Sequence, residues 1–147
     1  MSIEANKTIA RRWAEEVWGK ADVSVAEQLA HPDITVDYPL LPETVHGSEA
    51  FKQVLAMVKG AIPDVHGSVD ELIAEGDKVV IRWTVGGTQR GAFGAIPPTG
   101  RSVSWTGISI CRLVDGKVIE DRGEEDALGL MQQLGVVPSL EQSASVA

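Results

Sequence analysis

With 147 residues the chain is long enough to bury one apolar core without disulfide or metal staples, so a single domain over 1–138 is expected, followed by a disordered polar tail over 139–147. Hydrophobic residues make up 44% and charged residues 23%, which favours neither a disordered nor a membrane-embedded class. A net charge of −8 with scattered Lys and Arg argues against a nucleic-acid partner, and the single Cys111 cannot form an internal disulfide.

Ile9, Trp13 and Val17 recur every four residues among Arg11, Arg12, Glu15 and Glu16, which predicts an amphipathic helix over about residues 4–18. The start, Met1 to Lys7, lacks the apolar stretch of a signal peptide; with only short apolar runs elsewhere, a cytoplasmic protein with no membrane partner is expected. Val25 and Leu29 mark a second helix capped by Asp22 and ended at His31-Pro32. Ile34 to Tyr38 alternates as a strand, and Ser48 is a plausible cap for a third helix with Phe51, Val54, Leu55 and Val58 on one stripe.

Beyond Pro63 the pattern changes to extended runs separated by turns. Val65–Ala74 leads through Glu75-Gly76-Asp77 into Lys78–Val85, and Ser102–Leu113 leads through Asp115-Gly116 into Lys117–Asp121. Between the two hairpins lies Gly87 to Arg101, with a Pro97-Pro98-Thr99-Gly100 corner. Glu124 and Glu125 read as turn residues before a short helix that Asp126 caps and Gly135 closes. Helices followed by a curled antiparallel sheet predict an α+β cone, its N-terminal helices covering the concave face and leaving a pocket.

The run Gly87-Thr88-Gln89-Arg90-Gly91, then Ile96 to Arg101, Asp115 to Glu120 and Gln133-Leu134-Gly135 resembles the SnoaL-like polyketide cyclases of the nuclear transport factor 2-like superfamily. Ile62-Pro63-Asp64 and Glu75 to Val79 extend the resemblance over nearly the whole chain. It implies the cone fold and a small hydrophobic ligand; for activity it leaves cyclases, isomerases, dehydratases, epoxide hydrolases and binding proteins open.

Strand parity then selects the inward side chains. Val79, Ile81, Trp83 and Val85 face the helices, with Gln89 in the same register. The resemblance puts Ser109 inward, which carries Val103, Trp105, Gly107 and Cys111 with it and leaves Ile108 and Ile110 outside, suggesting a homodimer through the outer sheet face. Tyr38 shares a face with Ile34 and Val36, whereas Asp37 falls outside. Trp13, Tyr38, Trp83, Gln89, Trp105 and Ser109 thus form the expected substrate-binding set, an aromatic wall suited to a flat apolar ligand, with core filling as the competing role of the tryptophans.

By the same resemblance the catalytic Asp of the cyclases falls at Gly123, a His position at Ser109, another at Gln89, and the Arg-x-Asp pair of epoxide hydrolases at Arg90-Gly91-Ala92. Each inherited proton-transfer position is therefore lost or neutralised. Asp121 lies two residues before Gly123 on the same face and is the candidate relocated catalytic carboxylate, in a cavity that the missing side chain would enlarge. No cofactor is expected, and no metal, since His31, His46 and His66 lack metal-ligand spacing; His66 beside Asp64 is the pair to inspect. The readings that follow are a cofactor-independent cyclase or isomerase of a hydrophobic carbonyl compound, a non-catalytic binding member, or an epoxide hydrolase or dehydratase with a rearranged acid pair.

Overall fold

A computed structural model describes residues 2–140 of the chain. The tail expected over 139–147 therefore lies, from residue 141 on, outside the described residues. The N-terminal helix divides into two parts. An α-helix α1 (Ile3–Arg12), capped by Ser2, continues into a π-helical turn over Trp13–Trp18. The expected uniform helix over 4–18 is thus corrected by a register change that begins at Trp13. Helix α2 (Val23–Leu29) starts at Asp22, whose carboxylate accepts from the Ser24 and Val25 amides, as the cap reading required.

Strand β1 (Ala30–Asp37) is longer than the alternation suggested, running through Pro32, and pairs with a short β2 (Val45–His46). Helix α3 (Ser48–Ala61) includes Ser48 as its first residue, with Gly47 at the cap position, so Ser48 is not the cap. The sheet then continues with β3 (His66–Glu75), β4 (Lys78–Thr88), β5 (Ser102–Val114) and β6 (Lys117–Glu125) before α4 (Ala127–Gln133), which Asp126 caps through the Gly129 amide. Glu124 and Glu125 consequently belong to a strand rather than a turn.

The strand order is β2-β1-β6-β5-β4-β3, with β1 and β6 parallel and the other pairs antiparallel. Thus the first-half strand docks against the last one, and the sheet is mostly antiparallel. The helices cover one face of the curved sheet, which gives the expected α+β cone. The buried side chains form two clusters. One gathers Trp13, Phe51, Val79, Ile81, Cys111 and Val118; the other gathers Ile62, Val103, Trp105, Leu130 and Leu134. Trp83 packs against both.

Candidate functional site

At the junction of the two clusters the inner face of the sheet turns polar. The register sets Cys111 opposite Asp121, Ser109 opposite Gly123 and Gly107 opposite Glu125, while Trp83 pairs with Gly107 from the other side. Asp121 is fully buried, with 0% exposure. Its Oδ2 accepts from Trp13 Nε1 at 2.8 Å and from Trp18 Nε1 at 2.9 Å. Its Oδ1 accepts from the Tyr38 hydroxyl, and the Cys111 thiol is a weak fourth donor.

The π-helical turn explains how two indoles reach one oxygen. Residues five apart lie about 140° apart around an α-helix, whereas the wider i→i+5 turn returns Trp18 toward the side of Trp13. Phe51 then supports both rings, stacked on Trp13 at a centroid distance of 5.1 Å and edge-on to Trp18 at 5.2 Å. Trp18 was absent from the expected site; the signal that could have found it is a second Trp, five residues on, whose N–H needs an acceptor when the ring packs inside.

From Asp121 the hydrogen bonds continue in one line. Tyr38 OH is 2.6 Å from Ser109 Oγ, and Trp83 Nε1 donates to that same Oγ at 2.8 Å. Two glycines make this line fit. A Cβ on Gly107 would lie 2.2 Å from Cζ2 of Trp83, and a Cβ on Gly123 would lie 2.3 Å from Cε1 of Tyr38. The space beside Gly123 is therefore occupied by the Tyr38 ring, which corrects the expectation of an enlarged cavity around Asp121.

Burial pushes the Asp121 carboxyl above its ordinary range, and the donors Tyr38, Trp13 and Trp18 pull it partly back. Tyr38 is pushed well up by burial and then by the Asp121 charge. Cys111 rises for the same two reasons, so its thiol stays protonated as a donor.

The remaining expected residues lie apart from this line. Trp105 is buried in the second cluster and donates through Nε1 to Glu125 Oε1 at 3.1 Å. Gln89 is fully buried, but its amide braces the 89–101 loop. Its Nε2 donates to the Gly91 and Pro97 carbonyls, and its Oε1 accepts from the Thr99 amide and hydroxyl. The Asp64 carboxylate accepts from the Thr88 amide and hydroxyl, and the His66 ring faces the Asp64 backbone oxygen at 3.3 Å, so the pair makes no side-chain contact of its own. Asp37 is exposed. Two surface recesses, one beside Asn6, Gly76 and Asp77 and one beside Glu43, Val45 and His46, include no member of the aromatic cluster.

The SnoaL-like polyketide cyclase family matches residues 8–134. The chain belongs to this family. Among solved structures, a candidate SnoaL-like polyketide cyclase from Jannaschia sp. CCS1 is 27% identical, with 94% of this chain and 97% of that one covered at a TM-score of 0.82. AclR, a candidate hydroxylase from Streptomyces galilaeus, is 30% identical over 99% of this chain and 93% of its own, at 0.81. IdmH, a candidate polyketide cyclase from Streptomyces antibioticus, is 25% identical over 90% and 99%, at 0.74. No curated protein sequence matches the chain. The family and its fold neighbours support a cyclase- or isomerase-type function, and among the described residues no helix is long and apolar enough to cross a membrane.

Proposed function

We propose that this SnoaL-like protein is a cofactor-independent acid–base enzyme acting on a small hydrophobic carbonyl compound, by polyketide-type cyclisation or isomerisation, with Asp121 as its buried proton store. The observation that carries the reading is the unbranched line from Trp83 through Ser109 and Tyr38 to Asp121. With Asp121 ionised, Tyr38 donates its one proton to the carboxylate, so Ser109 donates to Tyr38. With Asp121 protonated, the line reverses: Asp121 donates to Tyr38, Tyr38 donates to Ser109, and the Ser109 proton is free for a carbonyl oxygen. Burial of the carboxyl favours that protonated state, and Trp83, half-buried at the end of the line, is the ring on which a flat ligand would stack.

The test is solvent deuterium exchange at the carbon between the carbonyls of an aryl 1,3-diketone, followed by NMR, with binding read from tryptophan fluorescence. The wild type should exchange faster than buffer, and Asp121→Asn should lose about 10²-fold or more while still binding the diketone. Exchange at the buffer rate, or an unaffected Asn variant, would count against the reading. Binding without exchange would instead favour a carrier of hydrophobic ligands. That second reading has its own support: the buried side-chain polar atoms described are all already partnered within the protein.

We also infer that the outer sheet face pairs with a second copy of the chain. Ile73, Ile108 and Ile110 are 57%, 52% and 48% exposed there, an apolar patch bordered by Arg82, Arg122, Glu71 and Glu124 in the same rows. A two-fold arrangement would set the arginines of one copy against the glutamates of the other.

A further inference from the structure

Asp121 has no room for a ligand. Its oxygens hold three strong donors and a thiol, it is fully buried, and the Tyr38 ring fills the neighbouring position at Gly123. A ring closure or isomerisation through an enol needs two proton movements, one at carbon and one at oxygen. The line ending at Asp121 can serve only one of them.

The same face of the same strand carries a second carboxylate. Glu125 follows Asp121 and Gly123 in the alternation, about 13 Å along β6 from Asp121 by strand rise. It is half-buried, whereas its neighbour Glu124 is exposed on the outer side. Two donors fix it: Trp105 Nε1 reaches Oε1 at 3.1 Å, and the Leu40 amide reaches Oε2 at 3.2 Å. Each oxygen thus has one protein donor and a second lone pair free. Opposite stands Gly107, with no side chain in the way and the Trp83 ring over it, so this carboxylate borders the aromatic wall formed by Trp83 and Trp105.

We propose that Glu125 is the catalytic base that touches the substrate at carbon, while Asp121 acts on the carbonyl oxygen through Tyr38 and Ser109; this rests on the acid–base reading above. The C–H bond beside the carbonyl breaks, its proton passes to the Glu125 carboxylate, and its electron pair shifts to the carbonyl oxygen. That oxygen takes the Ser109 proton as Tyr38 and Asp121 each hand theirs on. Once the half-buried Glu125 acid has traded its proton for solvent deuterium, the reverse steps deliver deuterium to the carbon. Burial raises Glu125 above its ordinary carboxylic range, and its two donors oppose the rise.

The experiment is the aryl 1,3-diketone exchange assay on the full chain with Glu125→Gln, Glu125→Asp and Asp121→Asn. Glu125→Gln should lower exchange about 10²-fold, with diketone affinity by tryptophan fluorescence changed less than about threefold. Glu125→Asp keeps the charge but withdraws it by one methylene, and should fold and lose about tenfold or more. Normal exchange in both Glu125 variants with loss in Asp121→Asn overturns this proposal and leaves the acid–base reading standing. Loss of affinity in step with exchange assigns Glu125 a structural anchoring role and also overturns it. A wild type no faster than buffer overturns both.

Discussion

The two faces of β4, β5 and β6 are built from the same strands one residue out of phase, and each carries an exception to the usual distribution of polarity: a few polar groups within an apolar inner face, and isoleucines on a polar outer one. Inside lie Ser109, Asp121 and the indole N–H of Trp83; outside lie Ile108 and Ile110, flanked by Arg82, Arg122 and Glu124. An antiparallel sheet commonly packs its apolar face inward and presents its polar face to water. The inner polar groups are tolerable because each has a partner within the fold, so desolvation is met by hydrogen bonds. The outer isoleucines have no such internal answer, and a second surface would supply it. Under the two proposals above, the satisfied inner groups would serve the chemistry and the unsatisfied outer face would serve assembly.

The largest expected effect lies on the inner face, where Gly123→Ala would separate the two explanations of that position. If the glycine merely marks a lost acid, a methyl group should be harmless. The added Cβ would instead lie 2.3 Å and 2.9 Å from two Tyr38 ring atoms and 3.0 Å from the Ile108 carbonyl oxygen. Tyr38 would have to leave its seat, breaking its bonds to Asp121 and Ser109. We expect a loss of about 3 kcal/mol in urea denaturation. A change below about 0.5 kcal/mol, the size of an ordinary surface substitution, would show that Tyr38 does not occupy this space.

A smaller effect compares the inner Asp121 with aspartates that cap turns. Burial raises the folded-state pKa of Asp121 above its ordinary 3.8. The folded protein then holds that proton more tightly than the unfolded chain, so this contribution to stability is full below 3.8 and is lost as pH rises through the folded value. Asp22 and Asp64 are lowered, chiefly by their bonds to Ser24 and to Thr88, so their contribution runs the other way and fades as pH falls. Tyr38 and Cys111, the titratable side chains around Asp121, stay protonated across the range. Denaturation of wild type and Asp121→Asn over a pH series should show the wild type losing its relative advantage as pH rises from the ordinary carboxylate value. Parallel curves would mean that Asp121 is not perturbed.

Much of this inner face was legible from alternation once an inward anchor was given, by the apolar set on one strand and by the family resemblance at Ser109 and Gly123 on the next two, because one inward side chain sets every second neighbour. That logic orients Trp83, Trp105, Ser109 and Asp121 without any knowledge of distant contacts. It fails where the backbone leaves its regular period. Trp18 was missed because an α-helical wheel turns it away from Trp13, and no local periodicity announces a π-helical turn. Glu125 was missed because Gly123-Glu124-Glu125 has low strand propensity, and pairing with β5 overrides it. The inward register of Gln89 was readable, yet its partners were not, since the loop folds back onto its amide. Tyr38 reaches Gly123 only through the parallel pairing of β1 with β6, a long-range contact that strand alternation does not contain.

The smallest effect on subunit stability, and the sharpest test of the outer face, comes from Ile108→Thr with Ile110→Thr. Threonine keeps the β-branched shape that suits a strand while removing apolar surface. Both side chains are about half exposed, so the isolated subunit should unfold within about 0.5 kcal/mol of wild type at concentrations too low for pairing. Association should respond instead: sedimentation is expected to show a wild-type dimer and a variant shifted to monomer. Because assembly links to folding, the wild-type melting temperature should also climb with protein concentration, and that of the variant should not. A wild type that sediments as a monomer at every concentration would remove the second surface from the comparison. The exposed isoleucines would then have to be explained as scattered surface hydrophobics, of the kind a folded protein carries without consequence.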